Sequence, residues 1–221
     1  MGAEIDKKKI AVIGGSFNPV TNAHVWMAEA VLSAFPGMHQ VWMMPAHRHP
    51  FEKHRGYSSH RSRMIRLVET ARIRYFGYEI DHELSGVTYM TFCRLLNDPD
   101  YRDPFVFYMV IGGDCVVDFD TKWQHAEELA AMVPFIIVPR QGYDLSGYRG
   151  LLSRPPHVLL RHAHIPNISA TEVRARIASG ASIREMVPAE VASYIRRHRL
   201  YEERNGGTAG NPPDRFPPPA A

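Results

Sequence analysis

The sequence predicts an α/β fold: a mainly parallel, doubly wound sheet with helices on both faces, closed by a C-terminal helical pair. Three observations predict it. Six short apolar runs rich in β-branched and aromatic residues recur along the chain, stretches with helical spacing separate most of them, and the pattern then changes to two helices in succession. Strands buried on both faces read as continuous apolar runs, and strand–helix alternation is the mark of parallel crossovers, so a Rossmann-like arrangement is expected. The 221 residues, 45% of them hydrophobic, suffice for one such layered core.

In chain order, residues 9–13 form the first apolar run, followed by a glycine turn and a helix over Asn22–Ala34. A strand at 41–44 leads through a basic loop to a helix over 59–75. Residues 77–80 read as the third strand, Thr88–Asn97 as a helix and 105–111 as the fourth strand. A helix over 125–132 precedes strands at Phe135–Val138 and 157–160. Helices over 170–179 and 188–199 close the domain, with Gly180 as a C-terminal stop and Pro188 in a first turn. From 205 to 221 the chain is mostly Gly, Pro, Asn and Ala, too poor in apolar residues to order itself. The expected division is therefore a folded domain over 1–204 and a disordered tail over 205–221.

Twenty-six basic against 23 acidic residues leave a net charge of +3, too balanced for a dedicated nucleic-acid or membrane surface, so neither partner is expected. Cys93 and Cys115 have no metal or redox spacing, which fits a reducing cytoplasm. The polar N-terminus carries no export-signal core, and no apolar stretch is long enough to span a bilayer. A homo-oligomer is compatible with all of this.

Chemistry concentrates in three segments. Gly14 and Gly15 end the first strand, and Ser16, Phe17, Asn18 and Pro19 lead into a helix opened by Thr21, Asn22, Ala23 and His24. A glycine turn and a helix N-terminus then meet at the sheet's carboxyl edge, where exposed N–H groups and the positive helix end favour a phosphate. An ordinary turn capped by Thr21 or Asn22 explains the same spacing. His24 adds a donor that faces the crevice and meets a phosphoryl oxygen as negative charge builds up. The fourth strand runs into Gly112, Gly113 and Asp114, with Trp123 nine residues on. An aspartate there accepts both hydroxyls of a ribose, or simply caps a turn. In the third segment, Ser169 and Glu172 make a capping box. Thr171 and Arg174 then share one face near the positive helix end, suited to gripping the β and γ phosphates of a nucleotide. Histidines at 47, 49 and 54 lack the cysteines or carboxylates that would complete a metal site, so their basic loop reads as phosphate-facing.

Gly-Gly-Ser-Phe-Asn-Pro-Val-Thr-Asn-Ala-His at 14–24 resembles the nucleotidyltransferase signature GG[ST]F[DN]PxHxGH or its TxGH variant. Two positions depart from it: Thr21 stands where the nicotinate enzymes usually have a histidine, and Ala23 replaces a glycine. Thr21-Asn22 is similar to the phosphopantetheine adenylyltransferases. Residues 168–174 resemble ISxTxxR, and the continuation through Ser182-Ile183-Arg184 and Val187-Pro188 to Leu200-Tyr201 resembles the nicotinate branch; the likeness spans about 9–201. It implies catalytic roles for His24, Arg174 and Thr21. ATP would be held by Gly14, Gly15, Ser16, Phe17, His24, Gly112 and Asp114 together with Ser169, Thr171 and Arg174. Substrate would meet Lys53 of the basic loop, Thr88 of the turn 86–88, Trp123 as a stacking platform unless it is core, and Arg140 unless it is a solvated strand-end charge. The implied reaction is transfer of the adenylyl group of ATP to nicotinate mononucleotide, forming deamido-NAD and pyrophosphate in NAD biosynthesis, with Mg²⁺ bound with ATP. A phosphopantetheine adenylyltransferase and a non-catalytic nucleotide-binding module are the alternatives.

Overall fold

The structure, a computed structural model, describes residues 7–47, 58–163 and 165–202. Lys53 and the tail 205–221 lie outside the described residues.

Four consecutive apolar residues, Ile10 to Ile13, are all 2% exposed or less, and alternate between the two faces of strand β1 (Lys8–Gly15). Burial of each of the larger ones contributes about 1.5–3 kcal/mol relative to exposure. This strand is the centre of a six-stranded sheet with β2 (Gln40–Pro45), β3 (Ile73–Tyr75), β4 (Phe105–Gly112), β5 (Phe135–Val138) and β6 (Val158–Leu159). The spatial order is β3-β2-β1-β4-β5-β6, and every pairing is parallel. The chain winds outward to β3, returns past β1 and winds out the other way, so the topology reverses between β1 and β4. In open parallel sheets that reversal leaves a crevice beyond the strands' carboxyl ends.

One face of the sheet packs against α1 (Asn22–Ala34), α2 (Ser58–Arg66) and the closing pair α8 (Ala170–Ala178) and α9 (Ala189–His198), through residues such as Val31, Met64, Val173 and Ile195. The other carries α3 (Tyr78–Asp81), α4 (Thr88–Asn97), α6 (Gly113–Lys122) and α7 (Ala126–Met132), through Tyr78, Phe92, Phe119 and Leu129. A short α5 (Pro99–Arg102) follows α4. Gly180 follows α8 with φ +73°, a left-handed stop that glycine adopts without strain. Among the described residues no helix is long and apolar enough to cross a membrane.

The third strand lies elsewhere than the sequence predicts. The helix expected over 59–75 ends at Arg66, where Thr70 Oγ1 accepts the N–H groups of Arg72 and Ile73 and so competes with helix continuation. Ile73–Tyr75 then becomes the edge strand, with Ile73 inward and Arg74 outward, while residues 77–80, expected as a strand, fall largely in α3. Helix α6 carries no element in the sequence reading, because Asp114, Asp118, Asp120 and Lys122 break up the short apolar pattern to which the buried Val116 and Phe119 belong.

Candidate active site

The phosphate turn departs from β1 with Phe17 at φ +48°, a left-handed conformation that costs a non-glycine residue energy. Packing holds it there. The Phe17 ring is 1% exposed and lies 4.8 Å from the His24 ring. Distant side chains fasten the turn. Arg174 Nη1 donates to the Asn18 carbonyl at 2.7 Å, Tyr201 donates its hydroxyl to Asn18 Oδ1 at 2.6 Å, and Arg61 Nη1 donates to the Ser16 carbonyl at 2.8 Å. The two termini of the fold therefore meet at this turn, although 156 residues separate Asn18 from Arg174. A second Arg174 bond, Nη2 to Thr171 Oγ1 at 3.1 Å, aligns those two side chains on α8.

His24 sits in the first turn of α1, behind which Thr21 forms the N-cap. The Thr21 N–H donates to His24 Nδ1 at 3.0 Å, with Thr21 Oγ1 2.9 Å from the same nitrogen. A backbone N–H only donates, so Nδ1 is the acceptor and the proton of the neutral ring is assigned to Nε2. Burial, reinforced by the positive charge of Arg140, lowers the imidazole pKa to about 4. His24 is therefore a neutral Nε2–H donor at pH 7. Thr21, which the sequence resemblance places in catalysis, is 0% exposed, is not among the residues lining the cleft and meets His24 Nδ1 with both its N–H and its hydroxyl.

At the opposite wall Arg140 Nη1 reaches Asp114 Oδ2 at 2.6 Å and Nη2 reaches the Ile168 carbonyl at 2.8 Å. One guanidinium thus ties the end of β5 to the start of α6 and to the residue before the α8 cap, Ser169, whose hydroxyl accepts the Glu172 N–H at 3.1 Å. Asp114, read as a ribose acceptor, has one carboxylate oxygen engaged by Arg140, while Oδ1 is buried without a protein partner. Gly112 leaves room for this ion pair: a Cβ would run into Asp114 Oδ1 and stand 2.8 Å from Arg140 Cδ, so those side chains would have to shift. Gly112→Ala is expected to destabilise the protein by about 1–3 kcal/mol as it forces the ion pair apart. Thermal unfolding checks this, and an unchanged midpoint would mean that the pair moves aside freely.

These walls enclose a cleft of about 490 Å³ over the switch between β1 and β4. Gly14, Gly15, Ser16 and His24 line one end. Thr88 and Trp123 line it as well, along with Gly112, Asp114, Arg140 and Ser169. Trp123 ends α6 with its ring 5.1 Å from Phe119, one face on core and the residue open to the cleft. Four residues that the sequence assigned to ligand contact are not among those lining the cleft: Phe17 is core, Thr21 bonds His24, and Thr171 and Arg174 stand against the phosphate turn, where Arg174 holds the Asn18 carbonyl. Glu79 and Ala46 line the cleft without having been singled out: Glu79 fell in the segment 77–80 read as an apolar strand, and Ala46 carries no functional group to mark it. A second depression of about 650 Å³ beside β6 is lined by none of the motif residues. Among the described residues no group of three or more His, Cys, Asp or Glu gathers to hold a metal ion.

The family model for cytidylyltransferase-like proteins matches residues 12–176. The probable nicotinate-nucleotide adenylyltransferase of Lactiplantibacillus plantarum is 33% identical over 204 residues, covering 90% of this chain and 90% of that protein. That of Anaeromyxobacter dehalogenans is 34% identical, covering 88% and 97%. Among solved structures, Plasmodium falciparum nicotinic acid mononucleotide adenylyltransferase complexed with NaAD superposes with a TM-score of 0.72 at 22% identity, covering 88% of this chain and 97% of that one. Its complex with APC gives 0.69 at 23% identity with the same coverage. The glycine turn and His24 line one cleft, Arg174 fastens that turn from α8, and the chain belongs to the cytidylyltransferase-like family, in its nicotinate-nucleotide adenylyltransferase branch.

Proposed function

We propose that this chain transfers the adenylyl group of ATP to nicotinate mononucleotide, yielding deamido-NAD and pyrophosphate in NAD biosynthesis. One observation carries the reading: His24 and the Arg174-fastened phosphate turn lie at one end of a cleft whose other walls present Thr88 and Trp123. That suits a triphosphate joined head-on to a pyridine nucleotide. The relatives' names and the NaAD complex of a protein with the same fold support the same substrates.

In the reaction a phosphate oxygen of the mononucleotide attacks the α-phosphorus of ATP. The bond from that phosphorus to the bridging oxygen breaks, and pyrophosphate leaves with the electron pair. No protein nucleophile is needed; positioning and charge stabilisation supply the rate. The His24 Nε2–H donates to a phosphoryl oxygen as charge develops there. Arg174 spends two of its five N–H donors on Asn18 and Thr171 and keeps the others for the β and γ phosphates. Trp123 offers a face for the pyridine ring, and Asp114, steadied by Arg140, offers Oδ1 to a hydroxyl. Both carboxylates in the cleft are already engaged, Asp114 by Arg140 and Glu79 by Thr91, so Mg²⁺ fits as a companion of the triphosphate, held by its oxygens and water. There it would neutralise the leaving pyrophosphate. Free Cys93 and Cys115 accord with a cytoplasmic setting.

The test offers ATP with nicotinate mononucleotide, nicotinamide mononucleotide or phosphopantetheine and measures pyrophosphate. The highest kcat/KM is expected with the nicotinate acceptor. Release with phosphopantetheine alone would favour the coenzyme A branch, whose Thr-Asn pair Thr21-Asn22 resembles. Tight ATP binding without release from any acceptor would leave only a nucleotide-binding module.

A further inference from the structure

A continuous hydrogen-bond path joins the phosphate turn to the turn 86–88, two segments that line the same cleft, and it passes through a single peptide unit. Arg61 Nη1 donates to the Ser16 carbonyl and Nη2 to the Ala46 carbonyl, each at 2.8 Å. Across that same peptide bond, the His47 N–H donates to Glu79 Oε2 at 3.3 Å. Glu79 Oε1 accepts from Thr91 Oγ1 at 2.8 Å, and the Thr91 N–H donates to the Val87 carbonyl at 3.1 Å. Val87 belongs to the turn 86–88 that lines the cleft. The Ala46 N–H adds a bond to the Gly15 carbonyl at 2.9 Å.

We propose that Arg61 and Glu79 are positioning residues: gripping the two edges of the Ala46–His47 peptide, they make it a rigid spacer between the triphosphate turn and the pyridine pocket. This deepens the adenylyl-transfer reading and rests on it. A planar peptide held by a donor on one edge and an acceptor on the other cannot rotate about its long axis. Arg61, Glu79 and Thr91 are 6%, 4% and 0% exposed, so a broken link leaves buried polar groups short of a partner. The carboxyl is held against its own tendency: burial raises the Glu79 pKa, and Thr91, the His47 N–H and Arg61 oppose that rise. In-line transfer tolerates little slack, since a misplacement of about 1 Å costs on the order of a hundredfold in rate. The spacer fixes the separation that matters, from the α-phosphorus of ATP to the acceptor phosphate.

The full chain and its Glu79→Gln, Glu79→Ala and Thr91→Val variants are compared by steady-state kinetics with nicotinate mononucleotide, ATP titration calorimetry and thermal unfolding. Glu79→Gln is expected within about threefold of wild type, because the amide oxygen still accepts from His47 and its NH₂ donates to the Thr91 hydroxyl. Glu79→Ala is expected to lower kcat about thirtyfold, with the ATP dissociation constant nearly unchanged because Arg174 and Tyr201 still fasten Asn18. Thr91→Val, which preserves shape, is expected to lower kcat about fivefold and carries the same decision should the alanine variant fail to fold. Wild-type kcat in both Glu79→Ala and Thr91→Val, with only the unfolding temperature reduced, would overturn the spacer and leave a purely structural bond. A Gln variant as slow as the Ala variant would overturn it too. An inactive wild type overturns the functional reading and the spacer together, whereas an active wild type with indifferent variants overturns the spacer alone.

Discussion

His24→Ala is expected to lower kcat by about two orders of magnitude or more while the fold survives, measured as pyrophosphate release at saturating ATP and nicotinate mononucleotide. The physical ground is the fixed tautomer. The Thr21 N–H occupies Nδ1, so Nε2 carries the proton and offers it to the cleft. The structural cost is the Thr21 N–H left without its acceptor, about 1–3 kcal/mol, which a protein of this size tolerates. Near-normal turnover would remove His24 from its role. The pH dependence follows with a definite sign. A histidine whose folded pKa lies at about 4 favours the neutral form, so its contribution to stability is complete above the unfolded value of 6.5 and is lost as pH falls toward 4. Since kcat/KM reports the free enzyme and free substrate, the ATP profile should show no inflection near 6.5 beyond that of the ATP terminal phosphate, which His24→Ala leaves in place. An inflection there that vanishes in His24→Ala would mean that the ring is solvated and charged at neutral pH.

Arg140→Met is expected to cost about 2–3 kcal/mol, or roughly 5–10 °C in unfolding temperature, and to depress activity as well. Methionine retains the apolar stem but strands Asp114, whose side chain is only 28% exposed, and frees the Ile168 carbonyl that anchors the approach to α8. The double variant Arg140→Met with Asp114→Asn removes the orphaned charge and should regain part of the loss, so the cycle separates the cost of the stranded carboxylate from the value of the pair. Loss of the guanidinium also removes one of the two causes that depress the His24 pKa, so an acid inflection should emerge in the variant's kcat/KM profile. A single variant as stable as wild type would show that solvent already screens the pair.

Legibility followed whether the signal was local. Helices Asn22–Ala34 and Thr88–Asn97 were readable to the residue from 3.6-period spacing, and β1, β4 and β5 from unbroken apolar runs. The edge strand was not, because three residues, with Ile73 and Tyr75 inward and Arg74 outward, give too little periodicity, and the turn at Thr70 that follows α2 depends on a single hydroxyl. In the site, the glycine turn and His24 were visible as a motif. Thr21 was visible too, but its direction was not: whether a hydroxyl at a helix start faces ligand or the neighbouring imidazole depends on rotamers set by packing. The charge of Arg61 is plain in the sequence, yet its target carbonyls at Ser16 and Ala46 lie 45 and 15 residues away.

By itself the sequence determined the layered parallel architecture, the three chemistry-bearing segments and the family, since apolar periodicity and residue order are properties of the chain read locally. Only the tertiary structure decided which groups meet: Arg174 on Asn18, Arg140 on Asp114, and Glu79 and Arg61 on either edge of one peptide. The reason is that a hydrogen bond is selected by distance and direction after burial has excluded water. Those quantities exist only once the sheet has brought remote segments within about 3 Å.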